Sequence, residues 1–362
     1  MTPVSSSPRQ GDQDGGPEQR RLRVAQIAPC WLTVPPAGYG GIEAMVARLT
    51  DALVDRGHDV TLFASGGSQT KGHLVSVYDE APGMAQAVAN PAMEVPHLLE
   101  AYEQAGDFDV VHDHTFPTGP SIGTAVEDAG VVHTVHGPPA HPDARPVYER
   151  LGKRINLVAI SDFQRELTPE VRYAATVYNG IDVDRHPYSD DKDDFLLFIG
   201  RMSPEKGAHL AARVANRLGR RLLIAGKMAE PDERAYFETE VEPHLNDQVE
   251  YVGQADEDTK LDLYSRAEAT LMPIQWAEPF GLVMIESMAC GTPVVALRNG
   301  SVPEIVDHGV TGYVADDLDA FTDAVQRVDT LDPADCRAEV EARFSTEAMV
   351  SGYEGVYARV AA

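Results

Sequence analysis

Two glutamates separated by seven residues bracket the run Glu278-Pro-Phe-Gly-Leu-Val-Met-Ile-Glu286, and no other stretch places so much potential chemistry so close together. An apolar run before it ends near Met272. Pro279 suits the first turn of a helix, where its missing N–H is not needed. The pattern predicts a helix entered through Phe280, Gly281 and Leu282. Its first amides would be free to meet a phosphate or sugar oxygen, and Gly281 would allow close approach. Glu278 then stands just outside the helix, within reach of sugar hydroxyls. Glu286, two turns further in, can accept two hydrogen bonds from a vicinal diol such as a ribose. Alternatively, Glu278 only complements the helix dipole and Glu286 is a solvated helix position.

A second candidate is Gly200-Arg-Met-Ser-Pro-Glu-Lys-Gly207, a loop that follows one strand-like run and opens a helix. Arg201 can fork onto two phosphate oxygens and Lys206 adds a point charge at the helix start. An ordinary surface loop would also carry such residues. Gly38-Tyr-Gly-Gly-Ile-Glu43 is a third, in which Gly40 and Gly41 would let the backbone approach a diphosphate from the opposite side. It is not a dinucleotide fingerprint, because Glu43 occupies the place of the third glycine. His112-Asp-His114 and His133-Thr-Val-His136-Gly137 are expected at strand ends on a cleft rim. Their spacing could suggest a metal, but no further Glu or Cys ligand is evident nearby, and hydrogen bonding to substrate or across the cleft is the expected role. Asp182-Val-Asp184 spells D-x-D, another metal–diphosphate pattern, in a stretch that reads as a linker.

The elements that must carry these residues follow a repeating strand–helix order. Leu22–Ala28 reads as a strand, 42–56 as a helix with apolar residues at spacings of three and four, and Asp59–Phe63 as a strand. Further strands are expected near 109–112, 131–135, 157–160 and 176–178. The rhythm restarts at 195–199 and continues through 221–225, 249–252, 269–272 and 293–296. Such alternation implies parallel sheets with helices on both faces. The expected division is a disordered extension over 1–20, an N-terminal Rossmann-like acceptor domain over 21–180 and a linker over 181–194. A Rossmann-like donor domain over 195–345 follows, with a last helix, 346–362, that could cross back to the first domain. Ligands of such sheets bind at the carboxyl ends of the strands, here in the cleft between domains.

Composition narrows the partners. The 362 residues carry a net charge of -27, which repels nucleic-acid phosphates and anionic lipid headgroups. Cys30, Cys290 and Cys336 are odd in number and far apart, so neither a disulfide framework nor a zinc site is expected, and a reducing, cytoplasmic setting fits. The first twenty residues lack the apolar core of a secretory signal, and no run is long and apolar enough to suggest integral membrane association.

Together these stretches resemble the retaining glycosyltransferases of family 4, the group 1 glycosyl transferases with the GT-B fold. The likeness runs from about Leu22 onward. It rests on Tyr39–Glu43, the histidine-bearing strand ends, Asn179-Gly-Ile-Asp182, Gly200–Lys206 and Glu278–Glu286. Ser287-Met-Ala-Cys-Gly-Thr-Pro293 and Gly300-Ser-Val-Pro-Glu-Ile305 extend it. The resemblance implies an α/β architecture of two Rossmann-like domains facing across a cleft. It also implies transfer of a hexose, with retained configuration, from a nucleoside-diphosphate sugar, UDP being the first expectation. The implied acceptor is a hydroxyl of a soluble small molecule or saccharide. By the same resemblance Arg201 and Lys206 would hold the diphosphate and balance charge on the leaving group. Glu286 would bind the ribose. Glu278, with the amides of Phe280, Gly281 and Leu282, would position the sugar that His136 contacts. Gly40 and Gly41 would close on the phosphates, and no metal or other cofactor would be required. Two other classes stay open: a nucleotide-sugar binder without turnover, and an NAD-dependent dehydrogenase, which would need a G-x-G-x-x-G fingerprint that neither half contains.

Overall fold

The computed structural model describes residues 20–38, 40–87, 90–127 and 129–361. The expected disordered extension, apart from Arg20, and Tyr39 of the glycine loop lie outside the described residues.

Short runs, most of them rich in Val, Leu and Ile, form the strands; those inside each sheet are buried on both faces, as parallel strands covered by helices must be, while several at the sheet edges are partly exposed. Within the first half they are β1 (Arg23–Ile27), β2 (Asp59–Phe63), β3 (His73–Val75), β4 (Val110–Asp113), β5 (Gly130–Val135), β6 (Asn156–Ala159) and β7 (Tyr173–Thr176). Those of the second half are β8 (Leu196–Ile199), β9 (Leu222–Ala225), β10 (Val249–Gly253), β11 (Ala269–Met272), β12 (Val294–Leu297) and β13 (Gly312–Ala315). The strands form two wholly parallel sheets, in the orders β3-β2-β1-β4-β5-β6-β7 and β10-β9-β8-β11-β12-β13. Each order reverses direction once, between β1 and β4 and between β8 and β11. A crevice opens at such reversals, because the flanking loops depart to opposite faces of the sheet.

Three details depart from the sequence expectation, the first being β13, a buried edge strand that was not anticipated. β3 was not anticipated; its three residues sit largely exposed at a sheet edge and carry no apolar alternation to read. β7 lies at 173–176 rather than 176–178, because Tyr178 leaves the sheet to stack near Phe280 and Phe344 at the domain seam.

One apolar cluster crosses that seam, joining Ile160 and Ile181 of the first half to Phe280, Met284 and Phe344 of the second. The helix Thr346–Val360 packs on the first sheet rather than the second, burying Met349, Val350, Tyr353, Val356 and Tyr357 with Val24, Leu49 and Val132. Its start is fixed by the Ser345 side chain, which accepts from the Ala348 amide. Among the described residues no helix is long and apolar enough to cross a membrane.

Candidate active site

At the β8/β11 reversal two loops are drawn against each other. The Gln275 amide donates to the Glu205 carbonyl at 2.7 Å. This brings Lys206, at the end of a short turn over Pro204–Lys206, onto Glu278, with Nζ 2.6 Å from Oε2. The same carboxylate oxygen accepts from the indole N–H of Trp276 at 2.9 Å, and the ammonium lies 5.1 Å from that indole ring. Glu278 is 7% exposed; a carboxylate so buried persists only with such partners. Its backbone is anchored by Ser301, whose amide donates to the Glu278 carbonyl and whose hydroxyl donates to that of Phe280. The Gly300–Ile305 motif therefore supports the Glu278 loop. Arg201, in the same loop as Lys206, is engaged by Glu205 at 2.5 Å, both side chains part-exposed.

The helix that follows begins one turn later than expected. It spans Leu282–Ala289, and Pro279 lies outside it. Gly281 is the reason: at φ 83° it turns the chain through the left-handed region, so the helical geometry starts only beyond it. Among the described residues no side chain caps this terminus, which leaves its first amides available to a ligand.

Glu286 is neither solvated nor free. It is buried, accepts from Lys260 at 3.2 Å and from the Tyr264 hydroxyl at 3.4 Å, and shares Lys260 with Glu257. Burial opposes the Lys260 charge, but Glu286 and Glu257 outweigh it and hold the ammonium above its ordinary value. A carboxylate offers about four acceptor positions, so two partners leave room for a diol. Arg48, from the helix Gly41–Asp55 of the other domain, feels the same charges; burial holds its pKa below the ordinary value against the opposing pull of Glu286 and Glu257. Lys260, Tyr264, Trp276 and Arg48 were not singled out from the sequence. The first two sit four apart on one helix, Glu257–Arg266, and that spacing was the available signal.

The glycine loop meets this site across the seam. Gly40 precedes the helix that Gly41 opens, and a Cβ on Gly41 would fall 3.3 Å from the Leu282 side chain. Gly41 thus touches the residue that starts the uncapped helix. A second seam contact lies alongside, where the amides of Asp162 and Phe163 donate to the Glu304 carboxylate at 2.7 and 3.2 Å.

The histidines require a correction. His112, His114 and His133 are fully buried rather than placed on the rim, because β4 and β5 are central strands covered on both faces. Of the four, His136 alone reaches part-exposure, beyond the end of β5. Strand alternation sorts the polar groups onto two faces. Asp113 and His133 share one with Tyr102, whose hydroxyl donates to Asp113 at 2.5 Å. Gln26, His112, His114, Thr134 and His136 share the other, beneath Tyr353 and Tyr357. Burial first, then the neighbouring His133 ring, push the His136 imidazole down to about 3. It is a neutral hydrogen-bonding group at working pH. No hydrogen bond or ion pair links it to the Lys206–Glu278 pair; the two stand at the carboxyl ends of different sheets.

The D-x-D pair does not form a site. Asp184 is fully exposed and its nearest cation is Arg337 at 4.0 Å. Among the described residues no three or more His, Cys, Asp or Glu side chains converge as metal ligands would.

Residues 182–343 match the family model described as Glycosyl transferases group 1, and residues 39–185 match Glycosyltransferase Family 4. A D-inositol 3-phosphate glycosyltransferase from Mycolicibacterium smegmatis is 28% identical, over 94% of this chain and 91% of the relative. Among solved structures, AviGT4, a glycosyltransferase involved in avilamycin A biosynthesis, is 28% identical with a TM-score of 0.73, covering 94% of this chain and 98% of that one. The Anabaena protein HepE, in complex with UDP and glucose, superimposes with a TM-score of 0.73 at 17% identity, over 94% of this chain and all of that one, a likeness of fold.

Proposed function

This chain belongs to the family 4, group 1 glycosyltransferases of the GT-B fold, and on that premise we propose that it moves a hexose from a nucleoside-diphosphate sugar, UDP first among the candidates, to a hydroxyl of a soluble acceptor with retained configuration and without a metal. The observation that carries this reading is the Lys206–Glu278 pair at 2.6 Å beside an uncapped helix start. A cation and a carboxylate held in contact suit the junction of a donor, where a diphosphate joins a sugar. The ammonium turns to the phosphate and the carboxylate accepts from sugar hydroxyls.

The chemistry follows from where charge grows. As the sugar–phosphate bond lengthens, negative charge builds on the departing diphosphate; Lys206 and the amides of Gly281 and Leu282 meet it with donors already in place, and Arg201 joins them. Arg201 leaves only a part-exposed partner to do so, at small cost. The acceptor oxygen bonds to the anomeric carbon from the face the diphosphate is vacating as the sugar–phosphate bond breaks, and the acceptor's proton passes to the departing phosphate oxygen, which retains the configuration. Glu286, with Lys260 and Tyr264 beside it, takes the ribose diol. The bound sugar and nucleotide of HepE, and the small phosphorylated polyol named for the Mycolicibacterium relative, support a UDP-linked hexose and a small acceptor.

The test is a panel of UDP-, GDP- and ADP-sugars, with nucleoside diphosphate release followed with and without candidate acceptors and with excess EDTA. UDP-sugar turnover that survives EDTA and gives a product of unchanged anomeric configuration is expected. Absence of binding and turnover for every donor would sink the proposal. Binding without release would leave a non-catalytic nucleotide-sugar binder in its place.

A further inference from the structure

The face of the first sheet beneath the last helix holds a continuous chain of hydrogen bonds. Tyr353 O–H and Thr134 Oγ1 lie 2.9 Å apart, and Thr134 Oγ1 is 2.8 Å from His112 Nε2. His112 Nδ1 is 2.7 Å from the Tyr357 hydroxyl, which accepts from the Gln26 amide Nε2 at 3.0 Å. Gln26 Oε1 is 2.7 Å from His114 Nε2, and His114 Nδ1 is 3.1 Å from His136 Nε2. Gln26, His112, His114, Thr134, Tyr353 and Tyr357 are at most 1% exposed. An amide donates through nitrogen and accepts through oxygen, and a neutral imidazole has one of each kind of nitrogen, so the bonds are not independent. The Gln26 oxygen faces His114, so His114 must carry its proton on Nε2 and accept at Nδ1. His136 must then donate from Nε2, which leaves Nδ1 as its only acceptor; the described residues place no hydrogen bond on that atom. On the other side, Tyr357 accepts from Gln26 and donates to His112 Nδ1. Turning the Gln26 amide over would reverse every bond and move the His136 proton to Nδ1.

We propose that Gln26, His114 and Tyr357 are positioning residues that fix His136 as the neutral Nε2–H tautomer, so that Nδ1 presents a lone pair to a hydroxyl of the transferred sugar. The final helix of the chain, which supplies Tyr357, thereby sets the hydrogen-bonding polarity of a group at the cleft. Packing alone does not call for this arrangement. Phenylalanine would fill the place of either tyrosine ring, and an aliphatic residue at position 26 would suit a strand buried on both faces. Burial and the neighbouring imidazoles hold His112, His114 and His136 below the ordinary histidine range, which keeps the chain in its neutral form. The sugar contact rests on the glycosyl transfer proposed above; the tautomer assignment does not.

Long-range proton–nitrogen NMR on the full chain with 15N-labelled histidine, assigned by His136→Gln, reads the tautomer without any substrate. The wild-type His136 is expected to show a protonated Nε2 and an unprotonated Nδ1. In Tyr357→Phe and Gln26→Leu the His136 signals should move toward a mixture of both tautomers. The kcat should fall roughly 10-fold, as for loss of one hydrogen bond, with donor KM nearly unchanged. Tyr357→Phe, which removes one oxygen atom, guards against a Gln26→Leu chain that fails to fold. A wild-type His136 protonated on Nδ1 would overturn the proposal. An unchanged His136 signature in both variants, even with lower activity, would leave these residues a packing role only and would also overturn it. If the wild type shows the Nε2–H signature yet turns over no nucleotide sugar, the glycosyl-transfer reading fails and the relay stands.

Discussion

Lys206 and Glu278 illustrate how much a single buried pair can control. Glu278 is almost wholly enclosed, so its charge depends on the Lys206 ammonium and the Trp276 N–H. Removing the cation leaves a buried carboxylate uncompensated and takes one charge stabiliser from the transition state. Lys206→Ala is therefore expected to lower kcat about 10²-fold or more, the scale for losing one such donor, read as nucleoside diphosphate release at saturating donor. Unchanged turnover would remove Lys206 from the mechanism. Arg201 differs in kind. Its contact with Glu205 is a part-exposed pair within a single turn, and pairs of that sort contribute little to stability. Residue types and spacing made Arg201, Lys206, Glu278 and Glu286 legible in the sequence. Lys260 and Tyr264 offered only their spacing of four on one helix and Trp276 offered no signal, since each meets its glutamate only after a loop has closed or two helices have packed.

Among the elements, the Leu282–Ala289 helix depends most on one backbone setting. Gly281 at φ 83° aims the first turn toward the glycine loop, and a Cβ there would fall 2.6 Å from the Met284 side chain. Gly281→Ala should cost about 1–2 kcal/mol for the left-handed conformation alone, seen as a lower urea midpoint. The displaced amides should raise the donor KM. An unaltered midpoint would mean that the turn is not held in this geometry. The sequence pointed to a helix here but placed its start too early, because Pro279 is an equally good helix-opening residue and left-handed backbone leaves no mark beyond the glycine itself. The Thr346–Val360 helix makes a similar point. Its apolar periodicity announces a buried face, yet nothing local says that this face covers the first sheet, whose contacting residues lie two to three hundred residues earlier in the chain.

At the scale of the molecule, two acidic lobes meet along an apolar seam, and one of them encloses a set of neutral imidazoles. Free histidine titrates near 6.5, while burial places His112 and His114 well below that value and His136 at about 3. Below pH 6.5 the unfolded chain therefore binds more protons than the folded one at these positions. Stability from this source is intact above pH 6.5 and is lost as pH falls from 6.5 toward 3. Urea unfolding between pH 6.5 and 5 should show this slope, and His112→Phe should flatten it by up to one proton, about 1.4 kcal/mol per pH unit. An equal slope in the variant would place the proton uptake elsewhere.

The sequence alone determined the two-domain α/β architecture and the candidate donor-binding residues. Parallel strands, helix faces and anion-binding loops are each specified by residues close together along the chain. The tertiary structure decided which of those residues touch. The joining of Lys206 to Glu278, of Gly41 to Leu282 and of Tyr357 through Gln26 and His114 to His136 depends on where two sheets reverse order and where the last helix docks. Those contacts span from tens to hundreds of residues, and short-range pattern carries no information over such separations.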